Sequence, residues 1–327
     1  MEFILLYLSR KTVLILLHSL PDKVNVDIIA LMKIIYLIII ISITIMLGAC
    51  AIESLSEGTV PSSKEKRTVE NKGSDTMVNL ALAWAEEYQK TKPDVIISVT
   101  GGGSGTGIAA LINGTVDIAN ASRQMKDVEY ENALSNGKNP NEIIVARDAI
   151  AVIVNPNNPI DSLTLKQISD IYSGKISNWM EIGGEDRPIV RLSRETNSGT
   201  HVYFLEEVLR LGEKEVKTLF SQDTLLLPSS EGISSEIRIN PNAIGYDGLG
   251  YVTPDLKVIA IAKNEDAHYV LPSAETVNNN SYPIARDLYM YIDGEPTSVV
   301  EEYLAWIFGP EAQRIVTDLG FVPIQNP

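Results

Sequence analysis

A chain of 327 residues with 45% apolar content is long enough for two domains of ordinary size and apolar enough to build real cores. Its net charge of −15 argues against a nucleic-acid role, which needs a positive surface, although local dipoles in a cleft can still hold a small anion against the global field. The single cysteine, Cys50, excludes an internal disulfide and any CxxC metal site, and the widely spaced His18, His201 and His268 argue against a metal-centred enzyme.

Residues 34 to 46, IIYLIIIISITIM, are continuously apolar and run into LGAC, Leu47 to Cys50. An apolar core followed by small residues reads as a secretory signal rather than a helix of the mature protein. Leu-Gly-Ala-Cys resembles a lipobox, which would make Cys50 the lipid-bearing first residue; the alternative is an uncleaved membrane anchor with an incidental cysteine. Met32-Lys33 reads as the signal's own start, so that residues 1–31 derive from an upstream start codon. Residues 1–50 are therefore read as leader and residues 51–67 as a flexible polar tether. Everything beyond is expected outside the cytoplasm, held at the outer face of the cytoplasmic membrane.

From Thr68 short β-rich runs alternate with helical ones. The pattern predicts a strand ending at Gly73, a helix over 78–90, a strand over 95–99, a helix over 105–113 and a strand over 116–119. Ala149 to Val154, AIAVIV, reads as an apolar strand stopped by the prolines of NPNNP, and as a crossing into a second lobe. That lobe would hold LTLKQISDIY as a helix, PIVRLS as a strand and SGTHVYFLEEVLRL as a helix. The segments around AIGYDGLGYV and LKVIAIA would return the chain, and LYMYI and SVVEEYLAWIFG would complete the first lobe. The expected fold class is α/β, with two lobes, each a mostly parallel sheet flanked by helices, and two hinge crossings. Lobe I would comprise 68–148 plus 262–327 and lobe II 149–261, with a ligand cleft between them.

Three loops join a strand to a helix and carry hydroxyls. The first is GSDTMVN, Gly73 to Asn79, where Ser74, Asp75 or Thr76 could serve simply as a helix cap. The second is GGGSGTG, residues 101 to 107, whose glycines let backbone amides approach an anion at a helix N-terminus. It is not a Walker loop, because Ile108 and Ala109 stand where Lys and Ser/Thr are needed. A dinucleotide fingerprint fits Gly105-x-Gly107-x-x-Ala110 only weakly, since the ribose-binding acid is missing, and Thr106 breaks a serine-hydrolase elbow. The third is RETNSGT, where Ser198, Gly199 and Thr200 open a helix behind the forked donor Arg194. Ala121 to Arg123 adds Ser122 and a second arginine, Arg123. Several hydroxyl loops and two arginines, with neither base nor metal ligands beside them, favour binding a small oxyanion over catalysis.

From Thr68 to the C-terminus the chain resembles the phosphate-binding proteins of high-affinity phosphate ABC transporters, within the two-lobed periplasmic binding proteins. The resemblance rests on GSDTM, GGGSGTGIAALINGTVDIANASR, IAVIVNPNNPIDSLTLKQISDIYSGKISNWMEIGG and RETNSGT. It implies a phosphate carrier with no catalytic residues, no metal and no cofactor, delivering to permease subunits, monomeric and lipid- or signal-anchored. It assigns the ligand to the hydroxyl of Thr76, the amide of Met77, Ser104, Arg194, Ser198, Gly199 and Thr200, with Ser122 and Arg123 beside them. Many members carry an aspartate where this chain has Ser122. That aspartate accepts a proton which phosphate bears and sulfate lacks, so Asp75 becomes the candidate for the same task. Three other readings stay open: a carrier of sulfate, molybdate or tungstate; an extracytoplasmic phosphatase using Ser104 or Thr76; and a scaffold with a vestigial cleft.

Overall fold

The computed structural model describes residues 67–324. The leader, Cys50 and the tether up to residue 66 lie outside the described residues; Arg67, read as the end of the tether, already opens the first strand. Among the described residues no helix is long and apolar enough to cross a membrane.

Strand β1 (Arg67–Gly73) pairs in parallel with β2 (Val95–Thr100) on one side and β3 (Ile118–Ala121) on the other. Helices α1 (Val78–Thr91) and α2 (Ser104–Ile112) make the crossovers. Leu80, Trp84 and Tyr88 recur on one face of α1, all buried, which is the spacing a helix needs to cover a sheet. β3 starts two residues later than its sequence suggests. The chain is still turning at Thr115, whose amide donates to the Ala110 carbonyl, and the strand runs on through Asn120 and Ala121. Beyond β3 and α3 (Asp127–Ser135) comes β4 (Pro140–Val154), which is 15 residues long rather than six. Its first part pairs antiparallel with β11 (Ala285–Asp293), and its last five residues pair antiparallel with β8 (Ala243–Gly248). The charged residues that hid its beginning are matched across the register: Arg147 lies opposite and ion-paired to Asp287, and Asp148 opposite and ion-paired to Arg286.

The AIAVIV run is buried on both faces. Ile150, Val152 and Val154 join one apolar cluster, and Ala151 and Ile153 join another, which explains a continuous rather than alternating apolar pattern. β8 continues in parallel to β6 (Val190–Arg194), and β6 to β7 (Leu225–Leu227). The principal sheet is therefore mixed: parallel towards both ends and antiparallel through its centre at β4 and β11. LTLKQISDIY splits into β5 (Ser162–Thr164) and α4 (Leu165–Tyr172), with Thr164 capping the helix. SGTHVYFLEEVLRL forms α5 (Gly199–Phe204) and then a wider turn over Leu205–Leu209, in which the Arg210 amide reaches back five residues to the Leu205 carbonyl. α6 (Ser230–Ile239) packs on β8. β9 (Lys257–Val258) pairs with β4, while β10 (Ala260–Ala262) pairs with β5. Val277, from α7 (Ala274–Asn278), packs with Tyr282 and Ile284 in the cluster of Ile150, Tyr172 and Phe204. Helices α8 (Ser298–Ile307) and α9 (Pro310–Asp318) close the other large cluster over α1, where the Trp84 indole donates to the Ala312 carbonyl at 2.9 Å.

Candidate functional site

The three loops converge. After Gly73 the chain makes a single tight turn, Asp75–Met77, in which the Met77 amide donates to the Ser74 carbonyl at 3.0 Å. That places Thr76, 1% exposed, with its Oγ1 2.8 Å from Oγ1 of Thr200 at the start of α5. Two hydroxyls 124 residues apart in sequence thus meet at one buried point.

Behind them lies the glycine loop. Gly103 sits at φ +91°, a conformation disfavoured for residues with a Cβ, and its amide donates to the Gly73 carbonyl at 2.9 Å. The turn delivers Ser104 fully buried, where its Oγ accepts the Ser122 amide at 3.0 Å and lies 3.3 Å from the Ser122 hydroxyl. Gly199 closes against this pair. A Cβ there would stand 2.3 Å from the Ser104 Oγ and 2.5 Å from the Ser122 Oγ, so only glycine fits. Asn197, which sequence reasoning passed over, ties the same loops: its Nδ2 donates to the Gly102 carbonyl at 2.9 Å, and its carbonyl accepts the Gly105 amide at 3.1 Å. Ser198 caps α5, accepting the Thr200 amide at 3.2 Å. His201 follows one residue on, buried and stacked on Phe220, with Nδ1 3.0 Å from the Ser193 hydroxyl. Burial pushes its pKa down, favouring the neutral ring.

Arg194 ends β6 with 1% of its side chain exposed. Its Nη2 donates to Asp75 Oδ2 at 2.8 Å and to the Pro228 carbonyl at 2.9 Å, and its Nη1 donates to the Ser230 hydroxyl at 2.8 Å. The same Asp75 oxygen accepts the Ser230 amide at 3.1 Å. Asp75 therefore links loop one to Arg194 and to the start of α6, and no side-chain hydrogen bond caps its own turn. Arg123 is placed differently. It forks onto Glu129 at 2.7 and 2.8 Å and onto the Gln124 carbonyl, with no hydrogen bond to the converging hydroxyls.

Three buried charges at the site escaped sequence reasoning. Arg286, from β11, donates to Asp148 from β4 through Nε at 3.1 Å and Nη2 at 2.8 Å. Burial pushes the Asp148 carboxyl up, against the downward pull of Arg286. Asp247, at the end of β8, accepts the Ser230 hydroxyl at 2.9 Å and the Gly248 amide at 2.8 Å on Oδ1, while its buried Oδ2 has no partner among the described residues. Burial raises its pKa to about 6, even with Arg194 drawing it down. A cleft of about 750 Å³ is lined among others by Arg286, Tyr203, Arg123 and Arg210; it touches the cluster at Arg286, and the converging hydroxyls, Arg194, Asp148 and Asp247 do not line it. The arrangement offers hydroxyl and guanidinium donors to an acceptor-rich ligand; the hydroxyls that touch a base are Ser193, at His201, and Ser230, at Asp247, rather than Thr76 or Ser104.

Residues 58–311 match the family model described as the PBP superfamily domain. The chain is 33% identical over 269 residues to the phosphate-binding protein PstS of Pseudomonas aeruginosa, covering 77% of this chain and 81% of the relative. It is 31% identical over 275 residues to PstS of Bacillus subtilis, covering 84% and 86%. Among solved structures, it is similar to a putative phosphate ABC transporter substrate-binding protein with bound phosphate from Clostridium perfringens. That likeness has a TM-score of 0.71 and 33% identity, and covers 79% of this chain and 100% of the other.

Proposed function

The chain belongs to the phosphate-binding proteins of ABC transporters, within the PBP superfamily, and from that membership we propose that it captures inorganic phosphate between two lobes and hands it to a permease. The observation that carries this reading is the meeting of Thr76, Thr200, Ser104, Ser122 and Gly199 at one buried place, with Arg286 donating to Thr200 and to the Ser122 carbonyl. Thr76, Ser104, Ser122, Arg194, Ser198, Gly199 and Thr200 would surround the anion. The Met77 amide is committed to its own turn and would contribute only if that turn opened. Arg123 would act from the neighbouring cleft rather than as a direct ligand.

An anion held by both Thr76 and Thr200 must replace their mutual hydrogen bond, so the two lobes would part and reclose around it. The hinge strand is β4, which pairs with β11 up to Ala149 and with β8 from Ile150. We place the second crossing near residue 285 rather than 262, because Val277, Tyr282 and Ile284 pack with the second lobe's cluster. The protein would be a monomeric carrier anchored outside the cytoplasm through its leader or a lipid on Cys50.

Catalysis is not part of this reading. The Ser104 hydroxyl meets another hydroxyl, and Thr76 meets Thr200 and a guanidinium, so among the described residues neither hydrogen-bonds to a base that could take its proton. Thermal unfolding of the full chain, stripped of anion, with phosphate, sulfate, molybdate or none tests the proposal. Phosphate at 100 times its dissociation constant adds about 2.7 kcal/mol, which raises the midpoint by roughly 5–10 °C. An equal rise with sulfate would remove phosphate as the named ligand, and no rise with any anion would remove the carrier reading. Release of phosphate from a monoester would reinstate the enzyme.

A further inference from the structure

Arg286 makes more contacts across the site than any sequence motif foretold. Its side chain is 2% exposed, and it touches β4, the residue after β3, loop one and the start of α5 at once. Nε and Nη2 hold Asp148 on β4, Nη1 donates to the Ser122 carbonyl at 3.0 Å, and Nη2 reaches Thr200 Oγ1 at 3.0 Å and Thr76 Oγ1 at 3.5 Å. Its guanidinium carbon also lies 5.7 Å from the centre of the Tyr203 ring, and it lines the neighbouring cleft.

We propose that Arg286 is a positioning residue of the anion site, committing the hydroxyls of Thr76 and Thr200 to act as hydrogen-bond donors toward the bound anion. The inference deepens the phosphate-carrier reading and rests on it. A hydroxyl has one proton and two lone pairs, and its rotor turns to suit whatever partner it meets. Guanidinium can only donate. A threonine oxygen that accepts from Arg286 has a lone pair occupied on that side, so its own proton must point away. In the Thr76–Thr200 pair one proton lies between the two oxygens and the other is free to point elsewhere. When an anion replaces that bond, both protons turn to it without choosing between donor and acceptor roles. Asp148 completes the device. It fixes the fork in register and balances the charge, so that Arg286 organises the site without adding an uncompensated buried cation.

A cycle of variants tests this in the full chain, with phosphate affinity measured by calorimetry and the anion-free unfolding midpoint measured in parallel. Arg286→Lys keeps the charge and loses the fork. It is expected to weaken phosphate by about tenfold or more, and Arg286→Gln by more still, so that lysine is a partial rescue. In a Thr76→Val, Thr200→Val background the same Arg286→Lys change is expected to have less than about a twofold effect, because the hydroxyls it positions are gone. A purely structural role would lower the anion-free midpoint equally in both backgrounds and leave the affinity of the folded protein unchanged. Such a result overturns the proposal, as does an equal loss of affinity with and without the valines. If Arg286→Lys does not fold, Asp148→Asn takes its place in the same cycle, with the same dependence on the two hydroxyls expected. Absence of phosphate binding by the wild type would overturn the carrier reading itself. Binding by the wild type with no coupling in the cycle would overturn only the role of Arg286.

Discussion

Gly199 shows how a single atom sets the limits of the site. Its missing side chain is the space that the Ser104 and Ser122 hydroxyls occupy, at separations no Cβ could tolerate. Gly199→Ala is therefore expected to reduce phosphate affinity by at least about tenfold while the separate lobes still fold, which calorimetry and circular dichroism together would show. Asp75 tests selectivity. Asp75, one oxygen of which accepts from Arg194 and from the Ser230 amide, is our proposed counterpart of the aspartate that the family resemblance places where this chain has Ser122. Asp75→Asn is expected to narrow the preference for phosphate over sulfate, and competition titration reads this directly. Asp247 sets a pH dependence. Its folded pKa, raised from 3.8 to about 6 by burial, lies above its unfolded value, so the folded state holds the proton more tightly. Its contribution to stability is greatest below about pH 4 and falls as pH rises to about 6, and Asp247→Asn is expected to remove that portion of the slope in denaturant midpoints.

Among elements, the local and the long-range divide what sequence reveals. The hydroxyl loops were legible because each is a short signal at the start of a helix, readable within seven residues. Arg286 and Asp148 were not, since nothing local distinguishes a strand arginine or aspartate from a surface charge. Only the antiparallel pairing of β4 with β11, 138 residues apart, sets them together in the core. The same pairing hid the first half of β4, whose Arg147 and Asp148 look like loop residues until Asp287 and Arg286 are opposite them. Helix α1 was plain from its spacing, and its burial allows a prediction that separates scaffold from site. Leu80, fully buried among α1, α8 and α9, is expected to cost about 3 kcal/mol when replaced by alanine, with little change in the phosphate affinity of the folded protein. Chemical denaturation and calorimetry on the same sample check both halves.

At the scale of the whole molecule, a net charge of −15 repels the anion the protein is built to take. The cleft does not reverse that field, because its lining mixes Arg123, Lys126 and Arg210 with Asp127, Glu206 and Glu207. Affinity must then come from short-range donors in a buried place, where hydrogen bonds to a charged acceptor are strong. The association rate of phosphate is accordingly expected to rise as salt goes from about 10 to about 200 mM, because screening removes the repulsion. Stopped-flow measurement with a fluorescent reporter would follow it. The α/β fold class was legible from strand–helix alternation, whereas our proposed place for the second crossing rests on the side-chain packing of Val277, Tyr282 and Ile284. The most direct measurement is a calorimetric titration of anion-stripped full chain and of Thr200→Val with phosphate. One phosphate per wild-type chain is expected, with an affinity at least about tenfold weaker in the variant. Equal binding by the two proteins would contradict this expectation, for phosphate would then be held somewhere other than the point where Thr76 and Thr200 meet.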